Sequence, residues 1–523
     1  LAESGASKRG LLDKERTIAP PGFSRWLIPP AALAIHLSIG MAYGFSVFWL
    51  PMSKLVPGGA MCGGGFWGEL TATGCNWSTP AVTHIFETFI AMLGVSAAIF
   101  GGWVERVGPR KSGVYAAVCW GGGLLIGGFG VAIHQLWIVF LGAGVIGGIG
   151  QGLGYITPVS TLIRWFPDRR GMATGFAIMG YGGGAMVGSP LAVWLMAYFA
   201  RSGTPGVAMT LATLGGVYFV AMLLGAFGFR VPSTALVPTS VSTENQGNVH
   251  VSQAWKTRQF WLLWGVLCAN VTAGIAVIAM ASPMLQDVFG ARLLGITPQG
   301  PLTAGQKGEI AAAAAGLVGL ISLFNSLGRL FWASVSDLIG RKFTYAIFFI
   351  LGVALYSSLP LLGRLGLTFE FVAAVCVIIS MYGGGFATLP AYLADIFGTK
   401  FVGAIHGRVI TAWSVAGVVG PALIAGLRQS QLDAGVPKAH VYDETLYIMA
   451  GLLVVGLVCN LLVRPVDAKH LMNAEPIPAQ AIGVSGETAA GGFGLIGVVA
   501  WMAVGVPFAI GLMIALQKAA KLF

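Results

Sequence analysis

The sequence predicts an all-α integral membrane protein built as two six-helix bundles related by an internal repeat, with a probable thirteenth transmembrane helix after them. Three observations predict this. Charged residues make up 9% of the chain against 56% hydrophobic ones, and mean hydropathy is +0.80, whereas soluble domains carry about 25% charged residues. Thirteen apolar stretches are each long enough to cross the ~30 Å hydrocarbon core as a helix. Residues 232 positions apart then match in an ordered series. Glycine, at 78 of 523 residues, is roughly twice its usual ~7% share, as expected where membrane helices pack backbone to backbone.

In chain order, a polar segment (1–26) runs directly into the first span, with no cleavable leader expected. An N-terminal bundle (27–230) holds spans near 27–51, 81–102, 113–134, 136–160, 171–199 and 205–229. A polar linker (231–258) joins it to a C-terminal bundle (259–465) with spans near 259–285, 309–333, 343–363, 368–394, 403–427 and 443–464. A second polar linker (466–490) precedes the last span (491–516), which carries no charge. If the N-terminus is cytoplasmic, inner segments through Lys469 hold 20 of the 30 Lys and Arg residues and outer loops hold seven. That bias predicts a cytoplasmic N-terminus in a cell's inner (plasma) membrane. The last span then leaves Lys518 and Lys521 outside, unless it lies in the interface instead. The net charge of +11 is scattered through short loops, so it reads as topology and not as a nucleic-acid surface.

The repeat pairs Pro51 with Pro283, Glu105 with Asp337, Gly108 with Gly340, Arg110 with Lys342 and Pro158 with Pro390. Gly171, Gly175 and Gly188 pair with Gly403, Gly407 and Gly420. Parallel six-helix repeats of this kind place a transported substrate between the halves near the midplane. Two loops, "GGWVERVGPRK" (101–111) and "ASVSDLIGRK" (333–342), each join two spans on the same side. Their acids, Glu105 and Asp337, sit at helix ends beside Arg106, Arg110, Arg341 and Lys342. Such an acid can hold a basic group or a helix N-terminus in one conformation and release it in another.

Arg329 interrupts an apolar span eight residues before Asp337. Eight helical residues rise ~12 Å, against ~15 Å for half the hydrocarbon core, so Arg329 is near mid-membrane. A charge there costs about 2.5–3.5 kcal/mol even on the mild insertion scale and needs a partner. Glu87 and Glu309 fall at the outer interface, Asp337 faces the inner loop, and the repeat-equivalent position is Ala97. A carboxylate cargo is therefore the expected counter-ion, bound by two parallel hydrogen bonds. Asn325, one turn earlier, is expected to add a donor. The alternative is an arginine tied to backbone carbonyls.

Both loops resemble the signature loop of the major facilitator superfamily. Within it, "RWFPDRRGMATG" (164–175), "YGGGFATLPAYLADIFG" (382–398) and "GRVITAWSVAGVVGP" (407–421) resemble the oxalate/formate antiporter family over about residues 27–464. The resemblance implies alternating access and an anion-binding arginine on the eighth span, which Arg329 matches. It implies an aromatic cage, for which Tyr43, Tyr155, Tyr181, Tyr382, Phe386 and Trp413 are candidates, with Gln151 as a polar addition. Each ring could equally be packing. Pro109 replaces a usual basic residue, so Asp337 is expected to be the stronger latch. The family's oxalate exchanger has a lysine on the eleventh span, a turn beyond an aromatic. Here Trp413 fits the aromatic, but Ala416 follows and no lysine occurs from Gly403 to Leu427.

One buried cation suits one carboxylate, so small monocarboxylates (formate, lactate, pyruvate) are expected, by proton symport or anion exchange. Dicarboxylate antiport of the oxalate/formate type is the alternative. A non-transporting carboxylate sensor, or a subunit whose last helix docks a partner protein, is the reading from another class. His36, also near the midplane, is either a satisfied structural histidine or a proton-coupling group. Cys62 and Cys75 share one outer loop and could pair in an oxidising compartment. No metal-ligand spacing, nucleotide loop or nucleophile–base pattern is present, so neither cofactor nor enzymatic activity is expected.

Overall fold

The computed structural model describes residues 10–200, 206–233, 247–293, 303–472 and 494–519. Much of both polar linkers, and Lys521, lie outside them. Among the described residues, thirteen helices are long and apolar enough to cross a membrane. In the first bundle these are α1 (Arg25–Met52), α2 (Thr79–Val107), α3 (Pro109–Ala132), α4 (Leu136–Trp165), α5 (Arg170–Phe199) and α6 (Val207–Gly228). In the second they are α7 (Arg258–Gly290), α8 (Leu317–Ile339), α9 (Arg341–Leu365), α10 (Thr368–Phe397), α11 (Val402–Asp433) and α12 (Lys438–Leu462). The last is α13 (Leu495–Gln517).

Gly108 and Gly340 show why the two loops repeat. Both have positive φ, 84° and 85°, and each closes one helix while the next begins at the following residue. A residue with a Cβ is strained there, so glycine is the residue that permits so tight a reversal.

The bundles meet along two seams, α2 against α11 and α5 against α8. Paired glycines explain how closely. A methyl group on Gly175 would lie 2.9 Å from the carbonyl oxygen of Arg329, and one on its repeat-mate Gly407 would run into the carbonyl of Ala97. Gly171 presses likewise on Ala333, and Gly403 on Glu105. Helices approach this closely when small residues line both faces. α10 is the most enclosed helix and α13 the least, with 83% and 17% of their apolar cores buried. α13 lies on the α5–α8 seam: Phe508 packs at Gly183 and Ser326, and Trp501 Nε1 donates to the Trp26 carbonyl at 3.2 Å. Most of its surface is left for lipid.

The loop after α1 is pinned from several sides. Cys62 and Cys75 are disulfide-bonded, Asn76 bonds the backbone of Val56 and Gly59, and Trp77 stacks on His134 at 4.6 Å. We call this the disulfide end of the molecule and the opposite one, with both signature loops, the latch end.

Because a Cβ at a seam glycine meets backbone and not a pliable side chain, Gly175→Ala and Gly407→Ala are each expected to destabilise the protein by about 1–3 kcal/mol. Gly102→Ala, with nothing within 4 Å of the added methyl, should be neutral. Thermal unfolding of the detergent-solubilised protein checks both.

Candidate functional site

Three helices depart from regular α geometry within their membrane-spanning lengths. α1 tightens to a 3₁₀ segment at Gly40–Phe48, α4 widens to a π segment at Phe140–Ile146, and α11 breaks at Ile410 between Val402–Val409 and Thr411–Asp433. Irregular turns inside a membrane protein are tolerated where they are enclosed by protein, and they concentrate at functional sites. With the glycine runs of α5 and α10, they let six aromatic side chains converge between the bundles.

All six predicted rings are in this cluster. Trp413 packs against Phe386 at 4.8 Å, Tyr181 at 5.3 Å, Tyr155 at 5.5 Å and Tyr43 at 6.3 Å. Tyr382 packs on Phe386 at 5.3 Å. Tyr43 and Tyr382 share a hydrogen bond of 2.9 Å across the two bundles, on the disulfide side of the cluster. The other rings are fully buried, and Tyr43 is half-buried.

Arg329, fully buried, enters from α8. Its Nε donates to Asn325 Oδ1 at 3.2 Å and its Nη1 to the Ile178 carbonyl at 3.4 Å, while Nη2 has no partner. The guanidinium lies 5.3 Å from the Phe386 ring and 5.9 Å from that of Tyr181. Among the described residues no carboxylate pairs with it. Two long neutral hydrogen bonds and two ring faces are weak compensation for a desolvated charge. Asn325 thus accepts from Arg329 through Oδ1 and aims it.

Gln151 is committed elsewhere: it donates to the Ile39 carbonyl at 2.7 Å and accepts from Tyr181 Oη at 3.1 Å. It holds Tyr181 in place. His36 sits between two carbonyl oxygens, Ala177 at 2.6 Å from Nδ1 and Tyr155 at 3.2 Å from Nε2. Three polar groups of the cluster have atoms with no partner besides Arg329 Nη2: Tyr155 Oη, Trp413 Nε1 and both ring nitrogens of His406.

At the latch end, each signature acid caps a helix of the other bundle. Asp337 accepts from the Gly171 and Met172 amides at 2.9 and 2.8 Å, in the first turn of α5. Glu105 accepts from the Gly403 amide at 3.1 Å, in the first turn of α11, and pairs with Arg164. These amides belong to helix first turns, where no intrahelical acceptor exists and the dipole favours an anion. Arg341 joins Asp337 at 2.5 Å, and Asp395 pairs with both Arg170 and Arg341. Lys14 donates to the Glu105 carbonyl at 2.9 Å. Burial, then Arg164, holds its ammonium below the usual lysine range.

Three basic residues expected in the gate are not there. Arg106 is exposed. Arg110 turns to the Leu11 carbonyl and the Phe227 ring, and Lys342 caps the carbonyls of Leu461 and Val463. Arg110 and Lys342 are thus engaged within their own halves, whereas Arg341, one residue before Lys342, stays on Asp337 and Asp395. Arg164, Arg170, Asp395 and His406 were not among the expected residues. Three of them lie in the quoted motifs, and the polar-in-a-span rule that picked His36 also picks His406.

The profile of the Major Facilitator Superfamily matches residues 22–421. The chain belongs to that superfamily. The matched stretch ends within α11. The oxalate:formate antiporter of Oxalobacter formigenes is 27% identical over 332 residues, 62% of this chain and 71% of that one. The apicoplast pyruvate carrier 1 of Toxoplasma gondii is 25% identical over 359 residues, 58% of this chain and 62% of that one. Among solved structures, the superfamily's proton:xylose symporter XylE is similar with a TM-score of 0.59 at 14% identity, covering 83% of this chain and 94% of that one.

Asp337→Asn removes a charge that two amides share. A charge-assisted hydrogen bond is worth about 1.5–3 kcal/mol, so the Gly171 and Met172 amides should exchange with deuterium at least about tenfold faster. Hydrogen-exchange mass spectrometry of the peptide spanning them reads this directly.

Proposed function

We propose that this protein is a secondary transporter of small carboxylates, monocarboxylates above all, working by alternating access with Arg329 as the anion site. The observation that carries the reading is a fully buried guanidinium with one nitrogen unpartnered and no carboxylate against it. A carboxylate is planar and accepts two parallel N–H donors, which is what an arginine lacks here. Binding it offsets the buried charge, and that gives the bound form the differential stability any rocking transition needs. The latches at one end and the Tyr43–Tyr382 contact toward the other leave the site closed at both. The activities of the relatives, oxalate–formate exchange and pyruvate transport, support the substrate class.

His36 favours proton symport over simple exchange. A carbonyl oxygen only accepts, so a neutral ring can donate to one of its two carbonyl neighbours and only the protonated ring to both. A bound anion screens Arg329 from that second positive charge. Proton and anion then assist each other's binding. The excess of Lys and Arg in the loops of the latch end supports a cytoplasmic latch end, and an inner (plasma) membrane is proposed with it.

Flux into proteoliposomes of labelled formate, lactate, pyruvate and oxalate, with and without a pH gradient and internal anion, tests this. Inwardly directed protons should accelerate monocarboxylate uptake. Arg329→Ala should abolish uptake, by about two orders of magnitude given the 2–5 kcal/mol cost of breaking a buried charged pair, with unchanged helix content. Undiminished transport by that variant would sink the proposal.

A further inference from the structure

We propose that His406 is a second polar contact for the cargo. It selects short carboxylates bearing a further oxygen function, such as 2-oxo and 2-hydroxy acids, over formate and acetate. The inference rests on reading Arg329 as the carboxylate site.

His406 lies in the first part of α11 and is 1% exposed. Neither ring nitrogen has a hydrogen-bond partner. Its environment differs from that of His36, whose two ring nitrogens both lie against carbonyl oxygens. Buried polar groups are nearly always partnered, and one that is not asks what would meet it. The His406 ring packs on Tyr155 at 5.8 Å, and Tyr155 in turn on Trp413 and Tyr181, each at 5.5 Å. Tyr155 Oη and Trp413 Nε1 are the other unpartnered atoms of that group.

The repeat gives the depth. Gly407, beside His406, abuts the carbonyl of Ala97, and Gly175 abuts that of Arg329. Ala97 and Arg329 are repeat-equivalents, so His406 starts from about the depth of Arg329, on the opposite seam. The aromatic cluster lies between them. Tyr181 touches both Arg329 and Tyr155, and Tyr155 touches His406, so the unpartnered polar atoms across the cluster from Arg329 belong to Tyr155, Trp413 and His406.

Those groups set the chemistry. Phenol and indole offer donors, and a neutral imidazole offers one donor and one acceptor. A carboxylate's two oxygens go to the guanidinium. A ketone oxygen at carbon 2 accepts from the others, and a hydroxyl there can both accept and donate. A methyl or hydrogen does neither and leaves the imidazole unmet.

The experiment compares competition by pyruvate, lactate, glycolate, acetate and formate in proteoliposomes containing the full chain, with His406→Leu and His406→Asn beside the wild type. The wild type should bind pyruvate, lactate or glycolate at least about tenfold more tightly than acetate. His406→Leu should bring that ratio close to one while leaving acetate affinity in place, and His406→Asn should restore part of it. Equal competition by acetate and pyruvate in the wild type overturns the inference without any variant, which covers the case of a variant that fails to fold. So does an unchanged ratio in His406→Leu, or a parallel loss of all five acids in a folded variant. If Arg329→Ala keeps its carboxylate affinity, the reading of the anion site itself fails; if it loses that affinity and the wild type shows no preference, only the role of His406 does.

Discussion

One desolvated guanidinium organises the centre of this protein. Arg329 has to sit where α5, α8 and α10 come closest, and its neighbours are shaped around it. Gly182 leaves room at its Nε, where a methyl group would lie 2.8 Å away, and Gly383 leaves room at its Cγ and at Asn325. Asn325 and the Ile178 carbonyl hold two of its nitrogens, and Phe386 and Tyr181 turn their rings to it. None of these groups carries a negative charge. With an anion as the proposed cargo, the site is preorganised for it and under-compensated until it arrives, which is the condition under which binding energy can drive a change of shape.

The repeat supplies the frame against which such departures stand out. Where the halves agree, residues serve the scaffold: Gly108 and Gly340 reverse the chain, Gly175 and Gly407 close the seams, and Glu105 and Asp337 each cap the opposite bundle's helix. Two of their disagreements fall in the centre. Arg329 stands opposite Ala97. His406 stands opposite Thr174, whose hydroxyl is fully engaged with the Ala387 carbonyl at 2.7 Å and with carbonyls of its own helix. The two seams therefore differ at this depth, with a satisfied small polar residue on one and an unsatisfied imidazole on the other.

Much of this was legible in the sequence because it follows from period and composition. Span length, loop charge and the 232-residue offset depend on chain chemistry alone, so the two-bundle fold with its extra helix could be read without coordinates. The position of Arg329 could be read too, because helical rise converts residue number into depth. Partner choice could not. Whether Gln151 faces cargo or holds Tyr181, and whether Arg110 guards a seam or turns to Phe227, depends on rotation about a helix axis in contact with neighbours distant in sequence. His406 was missed for a related reason. A histidine in a span is ordinary until its surroundings show that nothing satisfies it.

α13 adds a constraint that the twelve-helix frame does not have. It touches both sides of the α5–α8 seam, with Met186 and Val187 of α5 at Gly511 and Gly319 of α8 at Ala515. Near the latch end it also holds the start of α1 through Trp501 and Trp26. Phe508 packs at Gly183 of α5, and Leu323 of α8 shares a small apolar cluster with Met186 of α5 and Ala515 of α13. If the bundles rock as proposed, the spacing of α5 and α8 changes and α13 has to give up some of these attachments, so its two-sided seat ties the opening of the seam to the extra helix.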